Sequence, residues 1–243
     1  MKAHLKAGPC LKFAPPPKPD GHTRIVLVRH GETPWNQEKR FQGHTDIALN
    51  AKGIEQAHTL GQALAQMAHM APESAISSDL GRAQHTANIL LEYTPGLSLF
   101  TDPMLRERHY GHLAGLTGNE MQQKSPSEYT ALTTRQPNST IQGGESLSAF
   151  YTRVTQAFLT LLEKQRGQTV LVVSHGGVLD CIYRLCTNTP LQAPRQWLVP
   201  NCAINVIDFD LKGKNEILTW ANLQHLSVEA HAQQMDEVDG RIA

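Results

Sequence analysis

The sequence predicts an α/β fold: a mostly parallel central sheet with helices on both faces. Three observations predict it. Short β-branched apolar runs recur along the chain, segments with apolar residues at spacings of three and four lie between them, and turn residues separate the two kinds of segment. That alternation is the rhythm of βαβ units. At 243 residues the chain is long enough for one such domain with an ample core.

Residues 1–23 differ from the rest. Lys2, Lys6, Lys12 and Lys18 are scattered among small residues, and Pro15, Pro16, Pro17 and Pro19 oppose helix and sheet. This stretch reads as an extended or disordered arm, with 24–243 as a single domain. It holds no apolar run of the ~7–15 residues a cleavable signal needs. Residues 25–28, Ile-Val-Leu-Val, read as a buried strand. Asn50 caps an expected helix in which Ile54, Ala57, Leu60, Leu64 and Met67 share a face. Residues 74–77 read as a short strand and 80–91 as a helix. The polar segment 111–142, with Pro126 and Pro137, patterns as one short helix and reads as an insertion covering the site. Gly143-Gly144-Glu145-Ser146 reads as a helix start, with Glu145 suited to the positive end of the dipole. Leu147, Phe150, Val154, Phe158, Leu161 and Leu162 then form one apolar face. A strand over 169–173, a helix over 177–186, and strands over 201–209 and 216–220 complete the pattern, the last two joined as a hairpin.

The chemistry lies at two strand ends. The first strand runs into Arg29-His30-Gly31-Glu32-Thr33. In open α/β sheets ligands bind at the carboxyl ends of strands. A guanidinium grips phosphate oxygens through parallel hydrogen bonds, and a neutral imidazole nitrogen can attack phosphorus. Alone, this motif fits a polar strand end with a helix cap equally well. The run 169–173 ends the same way, in Ser174-His175-Gly176-Gly177. Two histidines, each at a strand end and each followed by glycine, point to one shared site.

Composition narrows the partners. Lys plus Arg and Asp plus Glu both number 22, so net charge is zero, which argues against nucleic acid or an anionic membrane. No apolar run approaches the ~18 residues of a membrane span. The four cysteines have no framework or Cys-x-x-Cys spacing and read as buried thiols in a reducing, cytoplasmic setting. His109 and His112 lack carboxylate or cysteine partners at zinc-like spacing.

Residues 24–210 resemble the histidine phosphatase superfamily, which includes cofactor-dependent phosphoglycerate mutases and broad-specificity phosphatases. The resemblance is carried by ordered motifs: Arg29-His30-Gly31-Glu32-Thr33, Trp35-Asn36 and Arg40-Phe41-Gln42-Gly43; Ser77-Ser78-Asp79-Leu80-Gly81-Arg82-Ala83; Leu105-Arg106-Glu107-Arg108-His109-Tyr110-Gly111; Gly143-Gly144-Glu145-Ser146; and Ser174-His175-Gly176-Gly177. It implies a phosphoglycerate mutase-like three-layer fold and a small phosphorylated substrate, with no cofactor or metal. His30 is then the nucleophile that forms a phosphohistidine. Its reacting nitrogen must be bare, so the other should donate to a backbone carbonyl. Arg29, Arg82 and His175 surround the phosphoryl oxygens. Local sequence alone would leave Arg82 as a solvated arginine and Glu107 in a salt bridge with Arg106 or Arg108; the resemblance makes Glu107 the general acid. Asn36, Gln42, Gly43, Tyr110 and Gly176 are the expected substrate contacts.

Departures from the mutases favour hydrolysis. Thr117-Gly118 stands where mutases carry Asn-Lys, segment 111–142 offers only Arg135 where they carry an Arg pair, and Gly176-Gly177-Val178 replaces Gly-Asn-Ser. The expected activity is metal-independent phosphomonoester hydrolysis. A phosphoglycerate mutase is the alternative within the family. An inactive phospho-ligand-binding relative is the alternative outside catalysis, and such a relative would be expected to have lost a core residue. The physiological substrate and oligomeric state are not legible.

Overall fold

The computed structural model describes residues 14–226. Its strands are β1 Thr23–Arg29, β2 Ser74–Ser77, β3 Leu99–Thr101, β4 Thr169–Ser174, β5 Ile204–Phe209 and β6 Asn215–Asn222. They form one sheet in the order β3-β2-β4-β1-β5-β6. The first four positions are mutually parallel; β5 and β6 are antiparallel. The sheet is thus mostly parallel, as expected, with a hairpin at one side.

Helices α1 Pro34–Gln37, α2 Ala51–Ala65, α3 Gly81–Leu91, α4 Gly118–Lys124, α5 Pro126–Thr133, α6 Leu147–Lys164 and α7 Gly176–Thr187 complete the fold. Strand alternation sorts them into layers. Ile25 and Leu27 face Phe150, Phe158, Val178 and Ile182 of α6 and α7. Val26 and Val28 face Ala57, Leu60, Ala83 and Leu90 of α2 and α3. A strand covered on both faces is apolar at every position, which is why residues 25–28 show no polar alternation.

Several expectations change. β3 was not anticipated: it is a three-residue edge strand whose Phe100 is 64% exposed, too short to stand out as an apolar run. The strand expected over 201–209 begins at Ile204, because residues 201–203 turn to bond β1: the Cys202 amide donates to Arg29 O (2.9 Å) and Asn201 Nδ2 to His30 O (2.7 Å). Segment 111–142 holds two α-helices where one was expected. Met121 of α4 packs with Leu113 and Ile141, and Tyr129 and Leu132 of α5 pack against this cluster together with Phe41 and Tyr110. Ser146 caps α6, while Glu145 lies before the helix and pairs with Arg153. Arm residues 1–13 and tail residues 227–243 lie outside the described residues. Residues 14–22 form neither helix nor strand.

At the opposite end of the sheet from His30, Arg24 pairs with Asp208 through two 2.7 Å bonds and also donates to Pro16 O, tying the arm to β1 and β5. Both partners are buried, and breaking such a pair costs about 3–5 kcal/mol.

Candidate active site

Sheet register brings the two histidines together. β1 and β4 are neighbours with Arg29 opposite Ser174. Adjacent strands lie ~4.8 Å apart, so the residues that follow emerge side by side. The rings of His30 and His175 sit with centroids 5.2 Å apart, and the His30 amide donates to Ser174 O. β2 lies on the other side of β4, and its end delivers Ser78, whose hydroxyl is 2.8 Å from His175 Nε2.

The His30 ring is held in one sense. Nδ1 lies 2.7 Å from Gly31 O and must donate to it, since a carbonyl only accepts. Nε2 therefore carries the lone pair, and it accepts from Arg82 Nε at 3.3 Å. Burial holds the His30 pKa well below the ordinary histidine value, with the charges of Arg82 and Arg29 adding to the effect. These influences favour the neutral ring. The turn itself depends on glycine. A Cβ on Gly31 would strike Gly53 O, and one on Gly53 would strike Glu32 O, so the loop and the start of α2 meet backbone to backbone.

Arg82 enters on the first turn of α3, which is capped from a distance: Asp46 Oδ1 accepts from the Gly81 amide. The same loop positions the guanidinium, with Arg82 Nη1 donating to Thr45 O (2.9 Å) and Nη2 to Gly43 O (2.8 Å). Gly43 has φ +53°, a conformation that favours glycine. Arg29 is buried and donates to Val199 O, and Gly176 packs against it. His175 caps α7 and is fully buried, which holds its pKa well below the ordinary value, helped by Arg82, His30 and Arg29.

Glu107 reaches the site from the loop after β3. The local salt-bridge reading fails: Arg106 pairs with Asp79, and Arg108 donates to Glu145 O. The Glu107 carboxylate accepts from the amides of Arg108 (2.7 Å) and Gly177 (2.9 Å) instead. A Cβ at position 177 would collide with Glu107 Oε1, so this seat exists only because residue 177 is glycine. Gly177→Ala should therefore push the carboxylate out of place. Displacements of this kind cost on the order of 10²-fold in turnover. Alanine favours helix, so the melting temperature should hold while kcat falls. Wild-type kcat in this variant would show that the seat is unimportant.

Arg29, His30, Arg82 and Glu107 line one cavity together with Arg40, Phe41, Gln42 and Tyr110. Of the expected substrate contacts, Gln42 and Tyr110 line this cavity. Gly43 serves through its carbonyl and Gly176 through its fit to Arg29. Asn36 and His175 are not among the lining residues: Asn36 Oδ1 accepts from Thr33 and sits 3.5 Å from Asn201 Nδ2, and His175 is fully buried beside His30. Arg40 and Phe41 line the cavity although neither was singled out beyond the motif. Arg40 is paired with Glu38 and Glu120. Ser78 and Asn201 were not foreseen either, because each acts through a strand neighbour distant in sequence. Among the described residues, no group of three or more His, Cys, Asp or Glu side chains could hold a metal ion.

The chain is similar to known proteins over most of its length. A "Phosphoglycerate mutase-like protein 4" from Arabidopsis thaliana is 35% identical over 206 residues, 84% of this chain and 87% of that protein. A "Metal-independent phosphoserine phosphatase" from the same plant is 37% identical over 207 residues, 84% of each chain. Among solved structures, the alpha-ribazole phosphatase of Shigella flexneri superposes with a TM-score of 0.74 at 30% identity, covering 84% of this chain and 98% of that one. The profile of the histidine phosphatase superfamily (branch 1) matches residues 25–223, the span that holds every element of the site, and the chain belongs to that superfamily.

Proposed function

We propose that this chain is a metal-independent phosphomonoesterase that acts on small phosphorylated metabolites through a phosphohistidine on His30, within a single catalytic unit. The observation that carries the reading is the locked His30 ring, with Nδ1 tied to Gly31 O and Nε2 against Arg82. In this reading Nε2 attacks phosphorus while Arg29, Arg82 and His175 hold the phosphoryl oxygens, so charge is met by arginines and positioning supplies much of the rate. Glu107 gives a proton to the leaving alcohol and takes one from the attacking water. Gln42 and Tyr110 face the alcohol portion. Similarity to a metal-independent phosphoserine phosphatase supports the substrate class.

Hydrolysis is favoured over mutation by where the cations are. Arg135 of the insertion is committed elsewhere, to Leu191 O and Asp180 Oδ2, each at 2.9 Å. Thr117 caps α4. Arg40 lies between two glutamates, which offset its charge toward a second anionic group. A mutase must retain its bisphosphorylated intermediate while it reorients, and that demands strong binding at both ends. Cys181, Cys186 and Cys202 are free and buried, which suits a reducing compartment, and we place the enzyme in the cytoplasm.

The test supplies 3-phosphoglycerate with catalytic bisphosphoglycerate, beside an aryl phosphate and a panel of sugar phosphates and phosphoserine, before and after exhaustive chelation. Release of free phosphate, unchanged by chelation, is expected. Rapid isomerisation with almost no phosphate released would overturn the reading.

A further inference from the structure

We infer that Ser78 is a positioning residue that sets the tautomer of His175, leaving the His175 Nδ1–H as the one donor this ring offers to a phosphoryl group. The inference rests on the proposed function for its kinetic consequence only.

A proton count carries it. Ser78 and His175 are both fully buried. The Ser78 oxygen already accepts from the Leu80 amide at 3.3 Å. Its remaining partner is His175 Nε2, at 2.8 Å. A serine hydroxyl has one proton to donate and two lone pairs with which to accept. If Nε2 carried the ring proton, the oxygen would accept twice and its own proton would be buried without an acceptor, which costs about 1–3 kcal/mol. If the hydroxyl donates to Nε2, the hydroxyl and Nε2 are both satisfied and only Nδ1 is left without a partner, against two unpartnered atoms in the other tautomer. The neutral ring must then carry its proton on Nδ1, a buried atom with no partner in the protein.

That arrangement suits the site. His175 stands 5.2 Å from the His30 ring and near Arg82 and Arg29. A bare Nδ1 lone pair would repel an anionic oxygen, whereas Nδ1–H donates to it. The two histidines then have complementary roles set by their neighbours. Gly31 O draws the His30 proton to Nδ1 and exposes a lone pair at Nε2. Ser78 supplies a proton to His175 Nε2 and leaves a donor at Nδ1. Two neutral rings of the same type thereby serve as nucleophile and as oxyanion donor. Sheet topology makes this possible, since Ser78 and His175 follow neighbouring parallel strands.

Nitrogen-15 spectra of histidine-labelled protein without substrate test the tautomer directly. The wild-type chain should show the His175 proton on Nδ1 and a bare Nε2. Ser78→Ala should move the proton toward Nε2 and lower kcat for an aryl phosphate by about 10- to 100-fold, the range for outer partners that orient a functional histidine. Ser78→Thr, which keeps the hydroxyl, should restore both. A wild-type proton on Nε2 would overturn the inference, as would a Ser78→Ala variant that retains the Nδ1 proton, whether or not its turnover falls. The spectra need no turnover. If they show the expected tautomer while no phosphohistidine can be trapped, the fault lies in the proposed function and the role of Ser78 in setting the tautomer stands.

Discussion

Replacing His30 by alanine should lower phosphatase turnover by at least about 10⁴-fold, because no other group in the cavity can form the covalent intermediate. Among the described residues, the imidazole that packs against His30 is that of His175, whose Nε2 is bound to Ser78 and cannot substitute. Phosphate binding should survive far better, since Arg29 and Arg82 are held by backbone carbonyls of Val199, Thr45 and Gly43 rather than by His30 alone. Vanadate titration of the variant separates the two effects. The pH profile carries the same information. Burial and the two arginines hold the His30 pKa well below 6.5, so protonation of the nucleophile should not depress turnover until the pH falls well below that value. Substantial turnover in His30→Ala would place the nucleophile elsewhere.

Glu107→Gln should cost about 10²- to 10⁴-fold in turnover of an alkyl phosphate, the range for loss of a positioned general acid. The substitution keeps the shape but only one acceptor oxygen, so of the Arg108 and Gly177 amides, which donate to different carboxylate oxygens, one loses its acceptor. The loss should shrink for an aryl phosphate, because a phenolate departs without a proton. Comparing kcat for the two substrates in wild type and variant measures this. Equal losses would assign Glu107 to phosphate binding or to structure. The loop around it is well braced, with Arg153 donating to the carbonyls of Met104, Arg106 and Glu107 and His44 bonding Glu107 O, so its backbone should not follow the substitution.

Much of the site was legible because it is built on strand ends. Buried parallel strands are continuous apolar runs, and such a run followed by His-Gly stands out at residues 25–31 and again at 169–176. The parallel pairing of β1 and β4 then follows from ordinary sheet topology. Less visible were features made by contacts between distant segments. Ser78 is one serine in a pair until β2 is placed beside β4. Asn201 reads as the start of a strand until its amide is seen on His30 O. Gly177 reads as a helix start until Glu107 is found against it. Asn36 has a second role that the motif did not suggest: its Oδ1 takes part in the capping box of α1. The insertion was misread as one helix because Ser125-Pro126 ends α4 and starts α5 within two residues, and short polar helices carry little apolar period. β3 was missed because an edge strand of three residues has almost no pattern to read.

The central claim is a phosphoryl group held on His30. Enzyme mixed with a fast-leaving aryl phosphate, denatured within milliseconds and kept alkaline through proteolysis, preserves an acid-labile phosphohistidine for mapping by mass spectrometry. Phosphate on the peptide carrying His30, formed in the first turnover, lost on brief acid treatment and absent from His30→Ala, is the predicted result. Steady hydrolysis with no phosphorylated His30 peptide at any quench time, or with phosphate on another residue, would contradict it.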